Sequence, residues 1–106
     1  MFVEQRIYSL TPGGTVEYVK TYEELGRDVQ ERILGRLLGY YTREIGELNQ
    51  LVYFWEFESM EDRAKRRAAL AADAEFKTFR GKVRHLVLKQ ENSILVPAGA
   101  PVAIKT

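Results

Sequence analysis

Asn49-Gln50-Leu51-Val52-Tyr53-Phe54-Trp55-Glu56-Phe57 decides how this chain folds. The run is rich in aromatic and β-branched side chains, the composition that packs well on a pleated surface, so it reads as a strand. Side chains alternate across a strand with period two. Leu51, Tyr53, Trp55 and Phe57 therefore share one face, with Val52 and Phe54 on the other. Both faces are apolar and both need cover, yet a single layer of helices covers only one. The expectation is that helices take one face and a second copy of the chain covers the aromatic face, so that two sheets enclose a barrel-like cavity.

The neighbouring segments supply the rest of the sheet. Arg36 to Arg43 is a second β-rich run, joined to Asn49–Phe57 by Glu44-Ile45-Gly46-Glu47-Leu48, whose glycine permits an antiparallel reversal. Phe2 to Leu10 alternates in character and ends at the turn Thr11-Pro12-Gly13-Gly14. From Thr15 to Ile33 the residues Tyr18, Tyr22, Leu25, Val29 and Ile33 recur at steps of three or four, the spacing of one helix face, and Gly35 supplies a stop. Ser59 and Asp62 resemble a capping box opening a helix from Met60 to Ala72. Asp73 caps a short helical segment carrying Phe76 and Phe79, and Leu86 to Val96 returns to strand character before Pro97. The order is β-α-β-β-α-β. With right-handed connections it gives an α+β, ferredoxin-like four-stranded antiparallel sheet with both helices on one side, completed as a dimeric α+β barrel. One domain is expected over residues 1–97, followed by a tail, 98–106, that is loose or laid on a partner.

Composition removes several functions. Sixteen basic and fifteen acidic side chains leave a formal charge of +1, too little field to gather a polyanion, so no nucleic-acid partner is expected. The absence of cysteine excludes disulfides, thiolate nucleophiles and cysteine-based metal sites. Charges at Glu4 and Arg6 interrupt the apolar stretch a leader would need, and no run of about 18 apolar residues follows. A cytoplasmic protein without membrane insertion is expected. No motif calls for a metal or an organic cofactor.

Chemistry-bearing residues cluster on predicted faces. Glu4, Arg6 and Tyr8 share one face of the first strand, with Val3 and Ile7 opposite. The trio is expected to look into the inter-sheet cavity, where a Glu and an Arg hold each other ionised and a Tyr hydroxyl orients a carbonyl or carboxylate. Tyr41, Tyr53 and Trp55 are expected to line the same cavity. Arg63 and Arg67, spaced i,i+4, share a helix face and are placed to meet an anion at the mouth. Leu88, Gln90, Asn92 and Ile94 lie on one face of the last strand, where the amides serve an interface or a ligand. His85 is the single histidine.

Many pieces fall in register with one family. Glu4-x-Arg6-x-Tyr8, Thr11-Pro12-Gly13, Leu38-Gly39-Tyr40-Tyr41, Glu44-Ile45-Gly46-x-Leu48-Asn49-Gln50, and Trp55 before Asp62-Arg63 are similar in order and spacing to the NIPSNAP family. So are Arg63-x-x-x-Arg67, Asp73-x-x-Phe76-x-x-Phe79 and Gln90-Glu91-Asn92-x-Ile94-Leu95 before a proline. The resemblance implies the dimeric α+β barrel superfamily and a family whose biochemical activity is poorly defined, with eukaryotic relatives linked to mitochondria and vesicle-related interactions. It also shows departures: Tyr53 stands where the family usually has histidine, and Phe76 where it has tryptophan. Haem-degrading relatives in the wider superfamily combine Asn, Trp and His, types that Asn49, Trp55 and His85 supply here, though through fold kinship and not a shared motif.

The candidate ligand-binding set is thus Glu4, Arg6, Tyr8, Tyr41, Asn49, Tyr53, Trp55, Arg63 and Arg67, with Glu4, Arg6 and Tyr8 the candidates for any catalysis. Three functions fit: a homodimer binding a small molecule, a cofactor-independent oxygenase or isomerase, and a protein-interaction module whose cavity is filled by its own side chains.

Overall fold

The computed structural model describes residues 1–100. Strand β1 (Phe2–Leu10) leads to a helix in two parts, α1 (Gly14–Thr21) and α2 (Arg27–Leu34), joined by a π-helical turn at Tyr22–Gly26. Strands β2 (Arg36–Thr42) and β3 (Gln50–Phe57) form the hairpin, followed by α3 (Met60–Ala72), α4 (Ala74–Val83), a 3-10 turn at Arg84–Leu86, and β4 (Val87–Leu95). The four strands make one antiparallel sheet in the order β2-β3-β1-β4. This is the ferredoxin-like α+β arrangement that the element order predicts. Ser59 and Asp73 cap α3 and α4 as expected, their side chains accepting from the backbone N–H of Asp62 at 3.1 Å and of Phe76 at 2.9 Å.

The faces of the sheet are the reverse of the expectation. In β1 the buried residues are Phe2, Glu4, Arg6, Tyr8 and Leu10, and the half-buried ones Val3, Gln5, Ile7 and Ser9. In β3 Leu51, Tyr53, Trp55 and Phe57 are at most 2% exposed, whereas Val52 and Phe54 are half-buried. The register sets Glu4 opposite Trp55 and Arg6 opposite Tyr53, so the charged trio and the aromatic row share the helix-covered face. Val3, Ile7, Val52 and Phe54 form the uncovered one. Period two groups residues into faces but has no sign for the face that helices cover; the partners decide it. Tyr18, Tyr22, Phe76 and Phe79 bring rings that meet Tyr8 and Tyr53 at centroid separations of 5.4 to 6.1 Å, either directly or through one another. Each large side chain so enclosed contributes about 1.5–3 kcal/mol.

The first helix departs from a uniform period for a local reason. The π-turn inserts one residue, so the inner stripe runs Tyr18, Tyr22, Gly26, Gln30 and Leu34, with Val29 alongside, and Leu25 is turned outward at 43% exposure. The expected place of Leu25 on the inner stripe is therefore corrected. Gly26 is needed there, because a Cβ would stand 2.9 Å from the ring of Phe79. Gly35, at φ 100°, ends α2 as expected.

Residues 98–100, the described part of the tail, are exposed and outside any element; 101–106, for which an arm on a partner was one expectation, lie outside the described residues. No helix among the described residues is long and apolar enough to cross a membrane.

Candidate functional site

Beneath the helices, β1 presents a connected polar row. Arg6 Nη1 donates to Glu4 Oε2 at 3.1 Å and Arg6 Nε donates to the Tyr8 hydroxyl at 3.0 Å. From α3, Arg63 closes on the same carboxylate with two bonds of 2.9 Å, Nε to Oε1 and Nη2 to Oε2. This fork-to-fork geometry is the strong form of an arginine–carboxylate pair. With its amide oxygen turned toward β1, Asn92 of β4 accepts from Arg6 Nη1 at 2.9 Å and its nitrogen donates to the Glu91 carbonyl at 3.0 Å.

These contacts set the charge state. Burial works to raise the Glu4 carboxyl, but the hydrogen bonds and charges of Arg63 and Arg6 outweigh it and hold the group below its ordinary value. Glu4 is thus an anion shared by two guanidiniums. Burial also acts against the charge of Arg6, and Tyr8 and Glu4 more than restore it. Arg67, one helical turn beyond Arg63, is compensated less, by the charges of Tyr8 and Glu4 alone. Burial first, then the charge of Arg6, makes its cation less favourable than usual, and its Nη1 is buried with no hydrogen-bond partner.

Arg67 borders a cavity of about 110 Å³ between sheet and helices. Its floor is Arg6 and Tyr8 of β1 with Tyr53 of β3. The helices add Tyr18, Gln30, Phe76, Phe79 and Arg80, and Gln90 stands at the β4 edge. The Tyr53 hydroxyl is likewise buried without a partner, in a residue only 1% exposed. Burial, followed by the surrounding tyrosines, pushes its phenol well above the ordinary value, so it is a hydroxyl donor and not a phenolate. Two residues that line one space each hold an unsatisfied buried donor, which is uncommon in a finished protein interior.

The other expected site residues are elsewhere. Trp55 is buried beside this face, its Nε1 also without a partner, but it does not line the cavity. Tyr41 is on the uncovered face, 58% exposed and against Phe54. This corrects the expectation that Tyr41 shares a cavity with the trio; it pairs in register with Val52, whose parity is opposite to that of Tyr53. Asn49 holds the hairpin at φ 61° and its Oδ1 accepts from the Gly13 N–H at 3.1 Å, a turn function at the far end of β1. His85 is exposed, with Nε2 3.8 Å from a Glu17 oxygen. The grouping of Asn49, Trp55 and His85 does not occur.

Tyr18, Gln30 and Arg80 were not among the expected site residues. Gln30 did carry a signal: it is a polar residue four positions after Gly26 and eight after Tyr22, on what becomes the inner stripe, and its Oε1 accepts from the Tyr22 hydroxyl at 2.5 Å. A larger surface groove, about 630 Å³ and walled by residues such as Val16, Lys20, Arg43 and Leu48, lies at the hairpin end. None of the unsatisfied buried donors lines it.

Comparison with known proteins places this geometry in context. A model of the NIPSNAP family matches residues 3–101. The chain is 44% identical to a NIPSNAP family protein with unknown function from Agrobacterium tumefaciens, over 92% of this chain and 88% of that one, with a TM-score of 0.90. It is 41% identical to a NIPSNAP-like domain protein from Burkholderia xenovorans, over 96% and 90% of the two chains, with a TM-score of 0.89. A dimeric ferredoxin-like protein from an uncultured marine organism has a TM-score of 0.72 at 18% identity, covering 97% and 100%, a likeness of fold. Among curated proteins none matches the chain.

Proposed function

The chain belongs to the NIPSNAP family, whose model and solved relatives cover nearly all of it, and on that footing we propose that it is a homodimer in which each subunit binds a small organic anion beneath its own helices. The site is intramolecular, in place of the inter-sheet cavity that the strand faces had suggested. One observation carries the reading: Arg67 and Tyr53 line a cavity whose walls contain no carboxylate, and each holds a buried donor without a partner, Nη1 and the hydroxyl. A bound carboxylate would satisfy both and neutralise the guanidinium.

Dimerisation rests on the other face. Val3, Ile7, Val52 and Phe54 are only half-buried within the subunit, and Leu38, Tyr41 and Leu95 beside them are 40% to 58% exposed. A second copy placed on this face would cover these apolar side chains, with Gln5, Glu56 and Ser93 standing among them as polar contacts. Binding is favoured over proton-abstracting catalysis because the single carboxylate of the row, Glu4, is engaged by two arginines and held ionised below its ordinary value, a poor base. Open space in the chamber favours a ligand over an interaction module filled by its own side chains.

The test uses formate, the smallest carboxylate, at constant ionic strength. At about 100 times its dissociation constant formate adds about 2.7 kcal/mol to the unfolding free energy of the parent protein. It adds nothing to R67M, which in the absence of formate is more stable than the parent by about 1 kcal/mol because an unpaired buried cation is gone. Equal stabilisation of both proteins by formate would remove Arg67 from the site.

A further inference from the structure

We infer that the ligand is a small organic dicarboxylate, with one carboxylate at Arg67 in the inner chamber and the other at Arg84 outside it; this rests on the reading that the chamber binds an anion. A second cavity, of about 190 Å³, abuts the first. The two share Tyr18, Arg80 and Gln90, which stand between them, and the outer one is completed by Val83, Arg84 and Val87. Together the volumes reach the lower end of the range for small-molecule pockets, roughly 300 Å³.

The charge along this path is one-sided. Arg6 and Arg67 line the inner chamber, Arg84 the outer, and Arg80 both, while no aspartate or glutamate lines either. The inner pair has Glu4 as a partial counter-charge through Arg6. Near the outer chamber, His85 pairs with Glu17 at 3.8 Å and Lys89 with Glu91 at 2.8 Å, and Arg80 and Arg84, both solvent-exposed at its rim, have no carboxylate partner among the described residues. A monocarboxylate seated at Arg67 serves the inner donors and leaves the outer arginines unmatched. One compact phosphate concentrates its charge at one point and does the same. Two carboxylates joined by a short chain match two separated cationic chambers, and the aromatic and aliphatic walls formed by Tyr18, Val83 and Val87 suit the chain between them.

The experiment is isothermal titration of the full chain with acids paired by length, butyrate against succinate and hexanoate against adipate, at constant ionic strength. The better diacid binds at least about tenfold more tightly than its monoacid, the worth of one charge-assisted contact of about 1.4 kcal/mol. R84M brings that ratio close to one. R32M, which removes an exposed arginine on α2 and the same net charge, leaves the ratio as it is in the parent protein. A ratio near one in the parent, or an equal fall in R32M and R84M, overturns the dicarboxylate assignment while anion binding stands. If neither class of acid binds, or if R67M binds both as the parent does, the anion chamber itself falls and the assignment with it.

Discussion

Glu4 is fully buried between Arg6 and Arg63, and the consequences of that are specific. In E4Q the two guanidiniums face a neutral amide, and the loss expected for breaking a buried pair by removing one partner is about 3–5 kcal/mol in denaturant unfolding. The pH dependence has a definite sign. Burial raises the Glu4 carboxyl and the arginines lower it by more, so its folded value lies below the ordinary 4.5. Its contribution is complete above that ordinary value and is lost as pH falls through the folded one. The thermal stability of the parent protein should therefore fall steeply on acidification below about pH 4.5, and E4Q should show a flatter acid limb; parallel limbs would mean that Glu4 does not carry the acid sensitivity. At this scale the grouping of Glu4, Arg6 and Tyr8 was legible, because alternation along a strand has one period and no ambiguity. The isolation of Arg67 Nη1 was not, since it depends on how α3 is rotated against the sheet, and an i,i+4 arginine pair looks the same from the sequence whether one member is bonded or not.

The first helix shows what an element hides. Steps of three and four residues identified a helix correctly but placed Leu25 inward, since a regular spacing cannot register the extra residue of the π-turn at Tyr22–Gly26. The trace of that turn was a glycine and a glutamine, Gly26 and Gln30, at four-residue steps from Tyr22. G26A would push a methyl group to 2.9 Å from the buried Phe79 ring and should cost about 1–3 kcal/mol by overpacking. L25A, at an exposed position, should change stability by less than about 0.5 kcal/mol. Equal effects of the two substitutions in urea unfolding would place the inner stripe on the regular period after all.

For the whole molecule, element order was enough to reach the sheet topology, because connection handedness leaves few alternatives for β-α-β-β-α-β. Which face the helices cover was not legible: both faces of β3 are apolar, and the decision comes from rings and charges contributed by α1, α3 and α4. That reversal moves the proposed ligand site into the subunit and leaves the proposed dimer to the face bearing Val52 and Phe54. F54E puts a charge in the middle of that face and should yield a monomer by sedimentation equilibrium while keeping the parent's far-ultraviolet circular dichroism, since Phe54 is outside the helix-covered core. A dimer that persists in F54E would assign the interface to another surface.

The central claim is that an anion binds beneath the helices at Arg67 and Tyr53, and crystals soaked in bromide test it most directly through the anomalous signal of the ion. The account predicts a bromide peak within hydrogen-bonding reach of Arg67 Nη1 and the Tyr53 hydroxyl, absent from crystals of R67M. Bromide peaks confined to the outer surface or the uncovered sheet face, with none in the chamber, would contradict it.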